Sequence, residues 1–493
     1  MHRPYPLPTQ SRQRHIAASL VVLWAPLLFW ACAAVGPDYA APPTDVPSHW
    51  HAAMADGLVP APADADTLAQ WWTTLEDPLL TDLIQRAVAD NIDLRTARAR
   101  VREARARRGI SRAGRFPTLD ASGAYTRSGS TDADGSTRET DLYSVGLDAG
   151  WEVDIFGGTR RSVEAADADL DASQEDLSHV LVTLSAEVAL NYVELRTLQA
   201  RITVAEANLE SQEETYILAR SRYEAGLTDE LAVQSALYNL AGTRSQIPTL
   251  QSNLESTLNR LAVLLGQAPG TLHPELVPSQ AIPVPPATVA VGVPADTVRQ
   301  RPDVRRAERQ LAAQTARIGV ATAELYPKLR LLGAIGYDAP ALGDLLDSTR
   351  LAWRLGPRIS WRLFEGGAIR QNIEVRSALQ EQALHQYRAI LLAALEEAEN
   401  VLTAYVSEQL RREALVQANE AAEVAFQLAR DQYEAGLVDF TTVLVAQRSL
   451  LSFQDQLARS EGTVTSNMVR LYKAMGGGWR DQEVVVTYGD EDR

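Results

Sequence analysis

Four segments of this chain alternate between apolar and polar positions. They are residues 116–127, 142–156, 329–337 and 353–363. In the second, every odd position from Tyr143 to Ile155 is apolar, and the even positions are mostly polar or small. A period of two predicts a β-strand with one apolar face. The segments therefore predict two β-hairpins, the first with a polar loop over residues 128–140.

A different pattern follows each hairpin: a long stretch with no glycine and no proline, over residues 159–225 and 368–435. Both stretches are rich in Ala, Leu, Glu, Gln and Arg, which favour a helix. About 67 residues at 1.5 Å per residue would give a helix of roughly 100 Å. The first stretch also carries apolar residues at alternating spacings of three and four, from Leu181 to Leu209, which is typical of helices packed lengthwise. Each stretch therefore predicts one very long helix.

Both stretches end in the same five residues, 210 positions apart. The phrase is Tyr223-Glu-Ala-Gly-Leu227 in the first and Tyr433-Glu-Ala-Gly-Leu437 in the second. Gly226 and Gly436 suit the position just after a helix, where the chain adopts a left-handed conformation and turns. They predict helix-tip turns, after which a second helix returns. In the first copy the return is expected to be interrupted near Gly242 and Pro248.

Motifs before the helices recur with the same spacing. Phe116-Pro-Thr-Leu119 corresponds to Tyr326-Pro-Lys-Leu329, and Trp151 to Trp361. We therefore predict one ancestral unit that is present twice. The predicted organisation is a signal peptide (1–31), an N-terminal strap (32–76), a first repeat (77–266), a Pro-rich linker (267–294), a second repeat (295–476) and a tail (477–493). Within the repeats, the β-hairpins occupy 116–157 and 326–366, and the helical hairpins 159–265 and 368–475.

The N-terminus resembles an export signal, because basic residues precede an apolar run over residues 16–30. The only cysteine, Cys32, stands directly behind that run. A cysteine at this place is where a bacterial lipoprotein is cleaved and acylated. The alternative is ordinary signal cleavage, since Ala31 and Ala33 also supply small residues around the site. The first interpretation predicts a covalent lipid such as palmitate on Cys32, and no other cofactor.

Charge and motif content argue against several classes of function. The formal charge of −16 argues against a nucleic-acid partner, which would favour a basic surface. Arginines crowd residues 95–108 and suggest a nucleic-acid patch, but Glu103 among them favours a solvated helix face. The sequence has no phosphate-binding loop, nucleophile motif or metal-ligand spacing. We therefore predict no catalytic residue, no metal site and no enzyme activity.

Four strands with one apolar face match the strands of outer-membrane barrels in length and pattern. Four strands cannot close a barrel, and lipid does not tolerate an open sheet edge. Identical copies must then share one barrel, and two, three or four copies would give eight, twelve or sixteen strands. The predicted fold class is mainly α with a β-barrel part. It is a duplicated unit of helix, β-hairpin and long helical hairpin, whose helices form a hollow cylinder continuous with the barrel.

Several motifs give the chain a family resemblance. They are Val35-Gly-Pro-Asp-Tyr39, Trp71-Trp72 with Asp77-Pro78, Arg299-Gln-Arg-Pro-Asp-Val-Arg305, Ala323-Glu-Leu-Tyr-Pro327, and Tyr433-Glu-Ala-Gly-Leu437 with Leu444-Val-Ala-Gln-Arg-Ser-Leu450. In these motifs the chain resembles the TolC/OprM family of outer-membrane efflux channels, in its lipoprotein branch. The resemblance covers nearly all of the mature chain, in family order.

The resemblance implies a homotrimer with a twelve-stranded barrel over a helical tunnel, lipid-anchored in the outer membrane of a Gram-negative bacterium. It implies a periplasmic adaptor protein and an inner-membrane pump of the resistance-nodulation-division class as partners. The implied function is the passive, gated exit duct of a tripartite efflux pump for drugs or other small molecules.

The same resemblance places a gate at the periplasmic tips. Family members commonly carry an Asp in the Leu-Asp-Ala step after the second tip. This chain has Val445 at that place, so the acidic ring is absent there. Tyr433 matches the family's tyrosine beside the tip, which ties neighbouring helix pairs in the closed state, and Arg448 is its candidate ionic partner.

The other gate candidates are acidic residues near the tips: Asp439, Asp229 and Glu230. A ring of carboxylates at a constriction would favour cations. Alternatively, Asp439 and Asp229 cap the returning helices at their positive ends. Val445 would instead give a hydrophobic constriction that gates by dewetting.

Two other functions remain open at this point. The same architecture serves as the outer channel of type I protein secretion, although the lipoprotein-like start favours efflux. A periplasmic coiled-coil adaptor is a different class of protein. Its surface needs no strands with a lipid-facing apolar face, so the four alternating strands argue against it.

Overall fold

The computed structural model describes residues 34–43, 46–62, 64–345, 347 and 351–479. The predicted signal peptide, Cys32 and most of the predicted tail lie outside these residues. The main helices are the N-terminal helix Pro78–Asp90, the first lead helix Ile92–Ala113, the first long helix Gly158–Glu224, the first return helix Glu230–Leu264, the second lead helix Pro302–Ala323, the second long helix Ala368–Glu434 and the second return helix Phe440–Ala474. Within the described residues, no helix is both long and apolar enough to cross a membrane.

Four strands form one antiparallel sheet in chain order. They are β1 (Thr118–Thr131), β2 (Thr137–Val153), β3 (Lys328–Ala339) and β4 (Leu351–Ser360). The two predicted hairpins are therefore joined edge to edge by pairing of β2 with β3. The outer edges of β1 and β4 have no strand partner in the described part of the chain.

The register of the sheet separates apolar from polar side chains. Leu147 lies opposite Ala121 on β1 and Ile335 on β3, and Ile335 lies opposite Trp353 on β4. Paired residues of an antiparallel sheet share a face, so this row belongs to one apolar face. Trp353 is 74% exposed, so the described residues leave this end of the row uncovered.

The other face of the sheet is polar and charged. Asp148 lies opposite Asp120, and on the next strands Glu152 lies opposite Arg330, with an ion pair of 3.0 Å between these two. Arg330 in turn lies opposite Arg358 on β4. A sheet with one bare apolar face and one charged face is suited to lipid on one side and water on the other.

The first hairpin is longer than the sequence predicts. We expected a polar loop over residues 128–140, but β1 and β2 continue through it and leave only residues 132–136 as the turn. The expectation was wrong because polar residues also continue a ladder when cross-strand pairs support them. Arg127 makes an ion pair with Glu139, and the Tyr125 hydroxyl donates to Asp141 Oδ1 at 2.8 Å.

Both long helices are present, with 67 residues each, and each is followed by a return helix of 35 residues. The predicted interruption of the first return helix is wrong, because the helix runs on with Pro248 inside it. A proline removes one backbone donor and leaves one carbonyl free. Pro248 is exposed, so water can satisfy that carbonyl, and Ser245 Oγ donates to the nearby Gly242 carbonyl at 2.7 Å.

The helical region before the first hairpin is divided into two helices. Asp77 caps the N-terminal helix, since its Oδ1 accepts from the amides of Leu79 and Leu80 at 3.0 Å. Asn91 ends that helix and starts the next, because its Oδ1 accepts from the Leu94 amide at 3.0 Å. Its Nδ2 donates to the Leu264 carbonyl at 2.8 Å, so a distant residue fixes the break.

The chain forms two compact units. One contains the sheet, with the described residues up to Pro42, Arg102–Ala172 and Ala307–Tyr387. In this unit Arg161 of the first long helix, only 4% exposed, holds the start of the strap. Its guanidinium donates to the carbonyls of Val35 at 3.1 Å and Gly36 at 3.3 Å, and to the Asp38 carboxylate at 2.6 Å. Val35-Gly-Pro-Asp-Tyr39 is therefore a docked segment rather than a loose linker.

The other unit contains Pro43–Val101, Ser173–Arg306 and the described residues from Arg388 on, including both helix tips. Here the Pro-rich linker is held on the first long helix. Buried Arg196 donates to the Pro278 carbonyl at 3.0 Å and to Gln280 Oε1 at 3.2 Å. Trp50 Nε1 donates to the Gly292 carbonyl at 3.1 Å, which ties the strap to the end of the linker.

Candidate functional site

The two helix tips have the same backbone geometry. In the first, the Leu227 amide donates to the Arg222 carbonyl at 2.8 Å, and the Gly226 amide donates to the Tyr223 carbonyl at 2.9 Å. In the second, the amide of Leu437 donates to the carbonyl of Gln432, also at 2.8 Å. These bonds define the Schellman turn that ends a helix on a left-handed residue. The repeated five-residue phrase therefore has the same backbone structure in both copies.

Both tips need glycine because of its left-handed backbone conformation, and not because a side chain would clash there. Gly226 has φ +71° and Gly436 has φ +72°, and a Cβ at either place would meet nothing within 4 Å. A left-handed residue other than glycine would be strained. The residue that follows each glycine projects outward, so that Leu227 is 74% exposed and Leu437 is 75% exposed. Both predicted tip turns therefore carry a bare leucine.

The side chain of Tyr433 is buried beside the second tip. It is 6% exposed, and its ring is 5.1 Å from the ring of Phe440, the first residue of the second return helix. The ring belongs to an apolar cluster with Ala219, Ala429 and Leu444, among others, so it joins both helical hairpins. Its hydroxyl is buried and has no hydrogen-bond partner within the described residues. A buried hydroxyl without a partner costs about 1–3 kcal/mol.

Arg222 completes this contact. Its guanidinium carbon lies 4.4 Å from the centre of the Tyr433 ring, which is a cation–π geometry. The same group donates to the carbonyls of Tyr433 at 3.1 Å and Glu434 at 3.2 Å. Carbonyls at the end of a helix lack partners inside the helix, and a cation there is favourable. The last turn of the first long helix thus caps the end of the second.

The predicted acidic residues have different roles in the two repeats. Asp229 caps the first return helix, because its Oδ1 accepts from the Ala232 amide at 3.0 Å. Asp439 occupies the matching N-cap position of the second return helix, but its side chain makes no capping hydrogen bond there. Glu230 is exposed in the first helical turn, where a negative charge is favourable. All three are exposed in the single chain, so they remain candidates for a carboxylate ring.

The arginine that contacts Tyr433 within the chain is Arg222 and not Arg448. Arg448 is exposed and has no ion pair among the described residues. Val445 is 48% exposed on the same helix, so it is available to line a constriction. Sequence reasoning missed Arg222, although it immediately precedes the repeated phrase. Its position in a last helical turn indicates a carbonyl partner, but the sequence does not say that the partner belongs to another helix.

Two surface ion pairs flank the tips. Arg220 contacts Glu224 at 3.1 Å and Arg430 contacts Glu434 at 3.3 Å, each one turn apart on its own long helix. The hydrogen bond and charge of Glu224 raise the pKa of the Arg220 guanidinium. Exposed pairs of this kind add little stability. Arg430 also lies 3.7 Å from Glu214 of the first long helix, but both of these side chains are exposed, so the half-buried Arg222 is the stronger cationic link between the hairpins.

A family model described as outer membrane efflux protein matches this chain over residues 83–267 and 293–477. The two matched segments correspond to the two structural repeats. The model therefore covers both helical hairpins, both β-hairpins and both tips.

Individual relatives match over most of their length. Nodulation protein T of Rhizobium leguminosarum bv. trifolii is 32% identical over 454 residues, covering 92% of this chain and 96% of that protein. The toluene efflux pump outer membrane protein TtgI of Pseudomonas putida is 32% identical over 461 residues, covering 93% and 97%. The solved structure of the outer-membrane channel OprN superposes with a TM-score of 0.86 at 36% identity, covering 90% of this chain and 99% of that one.

Replacing Arg222 with Gln should loosen the second tip without unfolding the chain. The change removes the cation–π contact and two charge-assisted hydrogen bonds, each worth about 1 kcal/mol or more. We expect hydrogen exchange at the amides of Ala435, Gly436 and Leu437 to accelerate about tenfold, since 1.4 kcal/mol corresponds to a factor of ten. Arg220→Gln, which lacks contact with the second hairpin, is the matched control. Equal protection in both variants would show that Arg222 does not hold the tip.

Proposed function

The chain belongs to the outer membrane efflux protein family and is an efflux channel of the outer membrane, and we propose that it works as the passive, gated exit duct of a tripartite pump. The observation that carries this proposal is the sheet. Its apolar face is bare and its charged face is suited to water, yet its two outer edges are unpaired in the described chain. Lipid does not tolerate such edges.

Pairing of β4 of one copy with β1 of the next would satisfy both edges. Three copies give a twelve-stranded barrel, which is the homotrimer that we propose. The charged face, with Glu152, Arg330 and Arg358, would then line a water-filled passage. The long helices would continue that passage into the periplasm over roughly 100 Å, at 1.5 Å per residue.

Members of this family are channels and not enzymes, so the energy for export must come from a partner. We propose an inner-membrane pump of the resistance-nodulation-division class and a periplasmic adaptor as partners, and no nucleic acid. One relative is named as a toluene efflux pump protein and another as a pyoverdine export protein, which supports small molecules as cargo over secreted proteins. The adaptor interpretation is wrong for this chain, because the family consists of outer-membrane efflux proteins.

The gate is proposed at the second tip. The Arg222–Tyr433 contact holds the two helical hairpins of one chain together, and a closed tunnel requires these hairpins to converge. Val445, Asp439, Asp229 and Glu230 are exposed near the same tips and would line the constriction. Breaking the link would let the hairpins separate and the passage widen.

Single-channel conductance of the purified full-length protein in a planar bilayer tests this proposal. The wild type should give a small, mostly closed current, and the double variant Arg222→Gln with Tyr433→Ala should give a larger and longer-lived one. Tyr223→Ala is the matched control, because Tyr223 stands in the first copy of the phrase and is 44% exposed. A wide pore in all three proteins would keep the duct and remove this gate. No current at all would overturn the duct.

A lipid anchor on Cys32 is part of the proposal. Cys32 itself lies outside the described residues, but Ala34 packs directly against Gly157, just beyond the end of β2. A Cβ on Gly157 would lie 2.5 Å from the Ala34 Cβ, so the contact is close. If the sheet spans the membrane, the docked strap holds the chain near the membrane surface two residues after Cys32, which supports an acyl chain there.

Labelled palmitate fed to cells should be incorporated into the wild-type protein and not into the Cys32→Ala variant. The reason is that the cysteine is the sole acceptor behind the signal segment. The control is Cys32→Ala carrying a restored cysteine elsewhere, for example Ser136→Cys, which should stay unlabelled. A wild type without label would favour ordinary signal cleavage.

The bare tip leucines are the proposed contact for the adaptor. Leu227 and Leu437 follow turns with the same backbone geometry and have nearly the same exposed fraction, so a partner can bind both tips in the same way. Exposed apolar side chains at a rim of polar residues often mark protein contacts.

Replacing both leucines with Asp should abolish drug export in cells while leaving the purified channel folded and trimeric. A buried charge at the contact would prevent docking. Leu342→Asp, at a position that is 67% exposed in the turn between β3 and β4, is the matched control and should export normally. The measurement is the drug susceptibility of a strain that lacks its own copy. Full export by the double variant would place the adaptor contact elsewhere.

A further inference from the structure

Both lead helices are joined to the sheet by a tryptophan at the point where the helix has just ended. Trp151 pairs with Leu331 in the sheet register, so it lies on the apolar face of β2. Its Nε1 donates to the carbonyl of Arg115, two residues beyond the first lead helix, at 3.0 Å. In the second repeat, Trp361 Nε1 donates to the Leu325 carbonyl, also at 3.0 Å. Each tryptophan therefore fixes the end of a lead helix beside the sheet.

A tryptophan in this arrangement is typical of the boundary between lipid and water. Its ring is apolar and its N–H requires an acceptor, so tryptophan is enriched at the level of the lipid headgroups. Trp151 is 37% exposed and Trp361 is 56% exposed. The inference that follows rests on the proposed function, in which the sheet spans the outer membrane. The ends of both lead helices then lie at headgroup level.

The end of the first lead helix is basic, and the end of the second is not. Arg112 and Arg115 are both exposed, and Phe116 next to them is 68% exposed. The corresponding residues of the second repeat, 210 positions later, are Thr322 and Leu325. The last turn of the second lead helix contains no basic residue. The two repeats therefore differ in charge at the same level of the structure.

The local backbone does not account for these two arginines. A cation near the C-terminus is favourable for any helix. The second lead helix nevertheless ends in the same turn without one. The Arg115 amide donates to the Arg112 carbonyl at 3.0 Å, and the Leu325 amide donates to the Thr322 carbonyl at 3.1 Å. Because the turn forms equally with threonine and leucine, the arginines are not needed to form it.

Neighbouring carboxylates compensate only part of this positive charge. Arg112 lies 3.6 Å from the Asp167 carboxylate, but Arg108 also forms an ion pair with that carboxylate. Arg115 has no ion pair within the part of the chain that the structure describes. One carboxylate is therefore shared by two arginines, and the charge of Arg115 is left uncompensated beside an exposed apolar surface.

We propose that Arg112 and Arg115 bind the phosphate group of an anionic phospholipid, whose acyl chains lie on the apolar face of the sheet beside Trp151. Guanidinium groups bind phosphate through paired, charge-assisted hydrogen bonds. A lipid is the occupant because it matches both features of the surface. A free anion would use the arginines but would leave the apolar face bare. Each copy of the chain holds one such lipid, since the second repeat lacks the arginines.

Native mass spectrometry of the purified full-length protein in detergent tests this site. The protein is titrated with dioleoyl phosphatidylglycerol and, separately, with dioleoyl phosphatidylcholine, which has the same acyl chains and no net charge. We expect one tight phosphatidylglycerol site per copy and a preference for this lipid of at least tenfold. Each arginine near an anionic lipid surface contributes a factor of about five. In the double variant Arg112→Gln with Arg115→Gln, the preference should fall below about twofold.

Two further variants separate the site from a general effect of charge. Arg102→Gln with Arg105→Gln is the matched control, because it removes the same charge from the same helix ten residues earlier. Ten helical residues correspond to roughly 15 Å, so this variant should bind both lipids as the wild type does. Arg112→Lys with Arg115→Lys keeps the positive charge and should keep the preference for phosphatidylglycerol.

Equal lipid preference in the wild type and the Arg112→Gln, Arg115→Gln variant would overturn this site. An equal loss of preference in the control variant would overturn it as well. Inorganic phosphate that displaces the lipid at a similar concentration would overturn the lipid as the occupant. The same spectra count the copies in each particle. A trimer without lipid preference would overturn the site and leave the shared barrel standing, whereas a monomer with the preference would keep the site and overturn the barrel.

Discussion

The structure depends on one constraint: a sheet of four strands has one face that avoids water and two edges that require partners. The register from β1 to β4 places Leu147, Ile335 and Trp353 in one apolar row, and the charged residues on the reverse side. Neither water nor lipid can solvate both the apolar face and the open edges. The closed barrel that we propose, made from several copies, would resolve this conflict and would make a passage as a consequence.

Each strand of the sheet is directly preceded or followed by a helix along the chain, so the order of the strands also sets the order of these helices. The arrangement of these helices is fixed by close contacts at glycines, such as Gly319 beneath Arg161. Arg161 also holds the strap through two carbonyls and the Asp38 carboxylate. One buried guanidinium thus orders the N-terminal segment, packs two helices and positions the chain close to the proposed lipid anchor. A buried arginine is tolerated because hydrogen bonds and a carboxylate compensate its charge.

The gate that we propose lies at the other end of the long helices. The polar part of the link between the hairpins at the second tip is made by Arg222, the Tyr433 ring and two helix-end carbonyls. These interactions are individually weak, and the Tyr433 hydroxyl remains unsatisfied within the described chain. The proposed gate would have to open during transport, and weak, incompletely paired polar contacts would favour that opening.

The sequence by itself determined the long helices, the tip turns, the duplicated hairpins and the family. Local signals specify these features: the absence of breakers, the glycine that tolerates positive φ, and the period of two. Only the tertiary structure decided the break at Asn91, the continuity through Pro248, the full length of the first hairpin and the role of Arg222. In each case a partner far along the chain, or solvent at an exposed position, overrides the local preference. Neither is visible in a window of neighbouring residues.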